Sequence, residues 1–213
     1  CNVPSSTLVR ESDFVIPTHA GAEIGVASTK AFTTQLAALR VLVLALAKKG
    51  GRLGEAAEWR YVSELSQVGE VLSPLLSQDG EFEALARPLE KTAHALYLGR
   101  GSQYPIAKEG ALKLKEVSYI HAEAYPGGEL KHGPLALVDA EMPIICTLPE
   151  DNLLAKSLGN LKEVLARGGK VLAFADDRVE VPAEENLQVF RIGRIPESIA
   201  PIAFTVPLTK GDS

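Results

Sequence analysis

Short apolar runs alternate with longer stretches of helical periodicity along this 213-residue chain. The apolar runs Asp13–Pro17, Ala95–Gly99, Pro143–Leu148, Val171–Ala175 and Val189–Ile192 read as buried strands. Helical patterns fall at about 30–49, 55–77, 80–90, 103–121, 152–167 and 197–207. Alternation of this kind predicts an α/β fold, a parallel sheet flanked by helices. The stretch 55–90 has no strand pattern. It divides the chain into a partial domain at 1–54, linking helices at 55–90 and a near-complete α/β domain at 91–213.

Leu36–Lys48 is strongly apolar but short for a bilayer span and is interrupted by Arg40, which predicts a buried helix. Lys48-Lys-Gly-Gly-Arg52 ends that helix with basic residues followed by glycine. No secretory leader pattern is visible, and Cys1-Asn-Val-Pro4 reads as the end of a strand, so residues before position 1 are expected.

Composition adds exclusions. Hydrophobic residues at 46% and charged residues at 23% are ordinary for a soluble globular protein. A net charge of −5 without any basic run argues against a nucleic-acid partner, and no membrane partner is expected. The two cysteines, Cys1 and Cys146, have no metal-ligand spacing, and Cys146 lies in an apolar run that predicts a buried thiol. This cysteine usage fits a reducing, cytoplasmic setting.

The densest chemistry lies between Glu109 and Pro134, where four carboxylates, three lysines and two histidines fall on a helical pattern followed by glycine-rich chain. Glu109, Lys113 and Glu116 are spaced i, i+4, i+7, which puts acid, base and acid on one helix face. Pro126-Gly-Gly128 is expected to break the helical run, leaving His132 on a loop spanning 122–134. A mobile carboxylate near a lysine and an imidazole suits proton transfer on a sugar. The wet face of an ordinary helix would present the same spacing.

Three other segments carry weaker signals. Gly99-Arg-Gly-Ser-Gln103, at a strand-to-helix junction, could cradle an anion or simply form a tight turn; it is not a dinucleotide fingerprint. Both it and the 122–134 loop could reach a crevice beyond the carboxyl ends of the strands. The loop Thr18–Ala31 holds Ser28 and Thr29 where helix N-caps belong, and Gly21, Gly25 and Ala27 would let a ligand approach the backbone. His19 in that loop reads as a surface residue. Ser5–Asp13 reads as a connection between strands.

Two strings, AGAEIGVASTKAFTTQL (20–36) and EGALKLKEVSYIHAEAYPGGELKHGPLAL (109–137), closely resemble the isomerase half of the glutamine–fructose-6-phosphate aminotransferase family, the glucosamine-6-phosphate synthases. That half consists of two sugar-isomerase (SIS) domains, and the resemblance runs over nearly the whole chain. It implies conversion of fructose 6-phosphate and glutamine-derived ammonia to glucosamine 6-phosphate, with no organic cofactor or metal. It further implies that Glu116 moves the proton between C1 and C2, that Lys113 stands near the sugar hydroxyls and that Glu109 orients that lysine. His132 would open the sugar ring in the neighbouring subunit of a homodimer. Val26, Ala27 and Ser28 would contact the sugar.

Several parts of the family pattern are not in this sequence. The glutaminase domain, the phosphate-clamping loop of the first SIS domain and the terminal lysine that forms an imine with the sugar are missing. Lys210 lies outside the tail motif and inherits no imine role. Two alternatives remain at this level: a related sugar-phosphate isomerase or deaminase lacking glutaminase, and a non-catalytic SIS module that binds sugar phosphates.

Overall fold

The computed structural model describes residues 1–209, and Lys210 lies outside the described residues. The chain divides into two compact units, residues 1–67 and 68–213.

The first unit holds three helices: α1 (Thr7–Glu11), α2 (Lys30–Lys49) and α3 (Glu55–Ser66). Its opening differs from the sequence expectation. Ser5–Asp13 contains the short helix α1, capped by Ser6, whose hydroxyl accepts from the Val9 N–H at 3.3 Å. Asp13–Pro17 is not a strand. The Cys1 amine donates to the Ile16 carbonyl at 2.8 Å and the Thr18 N–H to the Cys1 carbonyl at 3.1 Å. These two bonds reach a single residue, Cys1, whereas a ladder needs pairing along the length of a strand.

Helix α2 has the expected bounds but not the expected burial. Ala31 and Leu44 are its buried residues, while Leu39, Val41, Leu42, Val43 and Leu46 are exposed. Apolar side chains surround this helix on all sides, and within the unit α3 packs along it. By length and composition alone, α2 could cross a bilayer, contrary to the estimate from Leu36–Lys48. The Lys48–Glu58 ion pair and the Arg40 guanidinium, 4.7 Å from the Tyr61 ring centroid, tie α2 to α3.

The second unit is a five-stranded, all-parallel sheet in the order β2-β1-β3-β4-β5. The strands are β1 (His94–Gly99), β2 (His121–Pro126), β3 (Pro143–Leu148), β4 (Lys170–Ala175) and β5 (Leu187–Arg191). The helices are α4 (Val68–Leu76), α5 (Asp79–Ala86), α6 (Gln103–Ser118), α7 (Leu154–Ala166) and α8 (Ala200–Thr209). Residues 55–77 are thus two helices rather than one, interrupted at Gln67.

The central strands are apolar in nearly every position because both faces are covered. Ile144, Cys146 and Leu148 of β3 pack with Leu161 and Val164 of α7 on one face. On the other face Phe174 meets Phe190, which lies 4.7 Å from the Phe82 ring of α5. Cys146 is a core thiol, as its apolar run predicted, and burial pushes it up to about 12.

Edge strand β2 escaped the periodicity reading. His-Ala-Glu-Ala-Tyr-Pro is poor in β-branched residues and continues a helical pattern in sequence. Helix α6 ends earlier than Pro126 would have placed it, at Tyr119, which adopts a left-handed φ of 60° and donates its N–H to the Lys115 carbonyl. The chain then turns into β2 as a parallel neighbour of β1.

Candidate active site

Helix α6 carries the densest acid–base chemistry. Ala, Leu, Lys and Glu supply high helix propensity, with Pro105 confined to the first turn. Its buried face is formed by Gln103, Ile106, Ala107, Gly110, Ala111 and Lys113. Gly110 is a packing requirement, since a Cβ there would lie 2.9 Å from the Tyr97 ring and 3.1 Å from Leu208.

Lys113 is the outlier on that face, a cation only 4% exposed. Its Nζ donates to Glu116 Oε2 at 2.7 Å and stands 3.5 Å from Glu109 Oε1. The spacing read from sequence therefore becomes a three-residue cluster with the lysine at its centre. Burial by itself would lower the Lys113 amine. The hydrogen bond to Glu116 and the charges of both carboxylates outweigh burial and hold the amine above its ordinary value. At neutral pH Lys113 is a fixed positive charge, suited to stabilising an oxyanion and unable to act as a base.

The two carboxylates differ. Burial raises the Glu109 carboxyl against the opposing pull of Lys113. Its side chain is 13% exposed, whereas that of Glu116 is 32% exposed. Glu116 combines the shorter contact with the lysine and the more exposed side chain. The Lys113 stem also lines a cavity of about 200 Å³ walled by Phe82, Tyr97, Phe174 and Leu208.

The crevice between β1 and β3, where the strand order reverses, is the usual ligand site in a sheet of this order. Here it is bridged. Arg100 Nη2, just after β1, donates to Asn160 Oδ1 of α7 at 2.9 Å, while on the other side of β1 the Gly127 N–H extends the β1–β2 ladder by donating to the Gly99 carbonyl at 2.8 Å. A small, partly open cavity of about 20 Å³ lies beside Thr147 and Asn160. A Cβ on Gly99 would lie 2.2 Å from the Gln103 carbonyl oxygen, so the glycine of Gly99–Gln103 is explained by a tight turn.

The other sequence candidates lie on other elements. His132 lies in the 3₁₀ turn Leu130–His132, is exposed, and has no hydrogen bond to Glu109, Lys113 or Glu116. Val26, Ala27 and Ser28 lie on the loop before α2 in the first unit, with Val26 95% exposed. Thr29 occupies the N-cap of α2 without a side-chain bond, and Ser28 is not the cap either. Glu23 takes that role: its Oε1 accepts from Ser28 Oγ at 2.7 Å and from the Ala31 N–H at 3.2 Å. Sequence reasoning missed Glu23 because it lies five residues before the serine it holds, outside the usual capping window.

The SIS domain family profile matches residues 1–45 and 89–209. The glutamine–fructose-6-phosphate aminotransferase [isomerizing] of Pseudomonas syringae pv. tomato is 53% identical over 98% of this chain. That of Escherichia coli K12 is 54% identical over the same share. The chain spans about a third, 34%, of the length of these relatives. The C-terminal domain of glucosamine-fructose-6-phosphate aminotransferase from Francisella tularensis superimposes with a TM-score of 0.94 at 51% identity, covering 98% of this chain and 59% of that one. With a matching profile over both units, a parallel sheet of this order and relatives of such similarity, this chain belongs to the SIS domain family.

Proposed function

We propose that this chain is the isomerase portion of a glutamine–fructose-6-phosphate aminotransferase. In the full-length protein it converts fructose 6-phosphate, with ammonia from a glutaminase domain, to glucosamine 6-phosphate. The observation that carries this reading is Lys113 Nζ, buried and paired to Glu116 at 2.7 Å and to Glu109 at 3.5 Å. Glu116 is the half-open carboxylate that takes a proton from one sugar carbon and returns it to the next. Lys113 keeps Glu116 in place and stabilises charge developing on the adjacent oxygens during the enediol step. Glu109 holds the lysine from the buried side. Acid–base groups suffice for this reaction, so the proposal includes no organic cofactor or metal.

The remaining assignments belong to the same proposal. Residues 1–54 form the C-terminal part of a first SIS domain, 55–90 link, and 91–213 form the second. Val26, Ala27 and Ser28 contact the sugar, with Glu23 fixing Ser28. His132, exposed and separate from the α6 cluster, acts in ring opening on a partner subunit of a homodimer. The same proposal places the enzyme in the cytoplasm, in keeping with its two free cysteines. Helix α2 is read as a fold element and not a membrane anchor, because the Francisella domain superimposes over 98% of the chain.

The test is Glu116→Gln in the full-length protein. Turnover of fructose 6-phosphate should fall by about three orders of magnitude, with the sugar phosphate still binding in calorimetry. Turnover within tenfold of wild type would overturn the assignment. A parent protein that binds sugar phosphate and never turns over would make the chain a sensor module.

A further inference from the structure

His94 opens β1 and His121 opens β2, and the two are direct register partners across the parallel pair. Their Nδ1 atoms lie 3.2 Å apart with the rings at 90°. At that distance two neutral imidazoles share one proton, one nitrogen donating and the other accepting. Two nitrogens that ligate one tetrahedral ion, each about 2.0–2.1 Å from it, are themselves about 3.3 Å apart. The strand register therefore holds the two rings at a chelating separation without a metal present.

A third residue stands beside the pair. Glu123, two positions along β2 and so on the same face as His121, places Oε1 3.8 Å from His121 Nε2. Lys115 Nζ steadies that carboxylate at 3.4 Å. The 3.8 Å to His121 Nε2 is too long for a hydrogen bond, but a negative charge behind the outer ring nitrogen favours a proton there over one on Nδ1, leaving Nδ1 free for a metal. Both histidines are exposed, so water can complete a coordination sphere. Among the described residues no group of three or more His, Cys, Asp and Glu could hold a metal ion, so this site offers two protein ligands.

We propose that His94 and His121 form a two-imidazole chelate for a late first-row divalent cation, with Zn²⁺, Cu²⁺ and Ni²⁺ as the class. The cation takes the place of the shared proton. The proton on His94 Nδ1 moves through solvent to its own Nε2, so both rings stay neutral and no oxidant or co-reactant is needed. Imidazole donors favour these ions over Mg²⁺ and Ca²⁺. Binding clamps the first residue of edge strand β2 to β1.

The full-length protein, stripped with a chelator, is titrated with ZnCl₂ by calorimetry and with CuCl₂ by electron paramagnetic resonance. The expected result includes a site whose Cu²⁺ spectrum shows two equivalent nitrogens and a Zn²⁺-dependent rise in the unfolding midpoint that Mg²⁺ does not reproduce. His94→Ala and His121→Ala should each weaken Zn²⁺ binding at least tenfold, and Glu123→Gln about tenfold. His94→Gln and His121→Gln preserve side-chain bulk and should lose binding with an unchanged circular dichroism spectrum. The exposed Cys1 is present in every form, so the difference between variants isolates the histidine site. Equal Zn²⁺ affinity in wild type and in the His94→Gln/His121→Gln double variant would overturn the proposal. So would a wild type whose unfolding midpoint ignores Zn²⁺.

Discussion

Lys113 Nζ lies 2.7 Å from Glu116 Oε2, a buried cation held by a carboxylate that remains one-third exposed. This asymmetry makes the pair more than a surface salt bridge. The lysine is already desolvated and cannot swing away, so its partner is oriented before any ligand arrives.

Replacing Lys113 with Met should expose the cost of the buried carboxylate. We expect a loss of about 3 kcal/mol at pH 7.5, since Glu109 would be left without its cation. Burial already raises the Glu109 carboxyl in the folded state. A group with a raised folded value contributes stability below its unfolded value and loses it as pH rises through the folded one. The unfolding midpoints of wild type and variant should therefore converge as pH falls toward 5. A gap that stays constant from pH 8 to 5 would remove Glu109 from the explanation.

Asp176 gives the opposite sign. Burial alone would raise it, but Arg178 Nε and Nη2, both at 2.8 Å, and the Arg178 and Ile195 N–H groups hold it below the usual range. A depressed carboxylate contributes stability above its unfolded value, about 3.9, and loses it as pH falls through the folded one. Asp176→Asn should cost about 2 kcal/mol at pH 7 and much less near pH 2, read by urea unfolding at both values.

Gly99→Ala should be among the most damaging small substitutions. The added Cβ meets a backbone oxygen at 2.2 Å, and the start of α6 would have to move. We expect a loss of about 3 kcal/mol in denaturant unfolding. Gly128→Ala, with only Arg100 Nη1 at 3.7 Å, should stay within about 1 kcal/mol and serves as the control.

Thiol reactivity should separate the two cysteines. Cys1 is exposed, while Cys146 is buried with its thiol at about 12. Ellman's reagent at pH 8 should titrate one thiol in the native chain and two in guanidinium. Rapid labelling of both in the native state would mean that β3 opens readily.

The sequence by itself determined the parallel α/β class, because strands buried on both faces must be almost continuously apolar, as Leu96–Leu98 and Ile144–Cys146 are. It also determined that Glu109, Lys113 and Glu116 would share one face, since helical spacing is a local property. Only the tertiary structure decided that Lys113 would be sealed in and Glu116 left half open, because burial depends on what packs against α6. Strand β2 was illegible for the same reason: an edge strand of low intrinsic propensity exists by virtue of the register that β1 supplies. That register also brought His94 and His121, 27 residues apart, to within 3.2 Å. Local patterns fix the type of an element and the residues on its face, whereas long-range pairing fixes which chemistry meets.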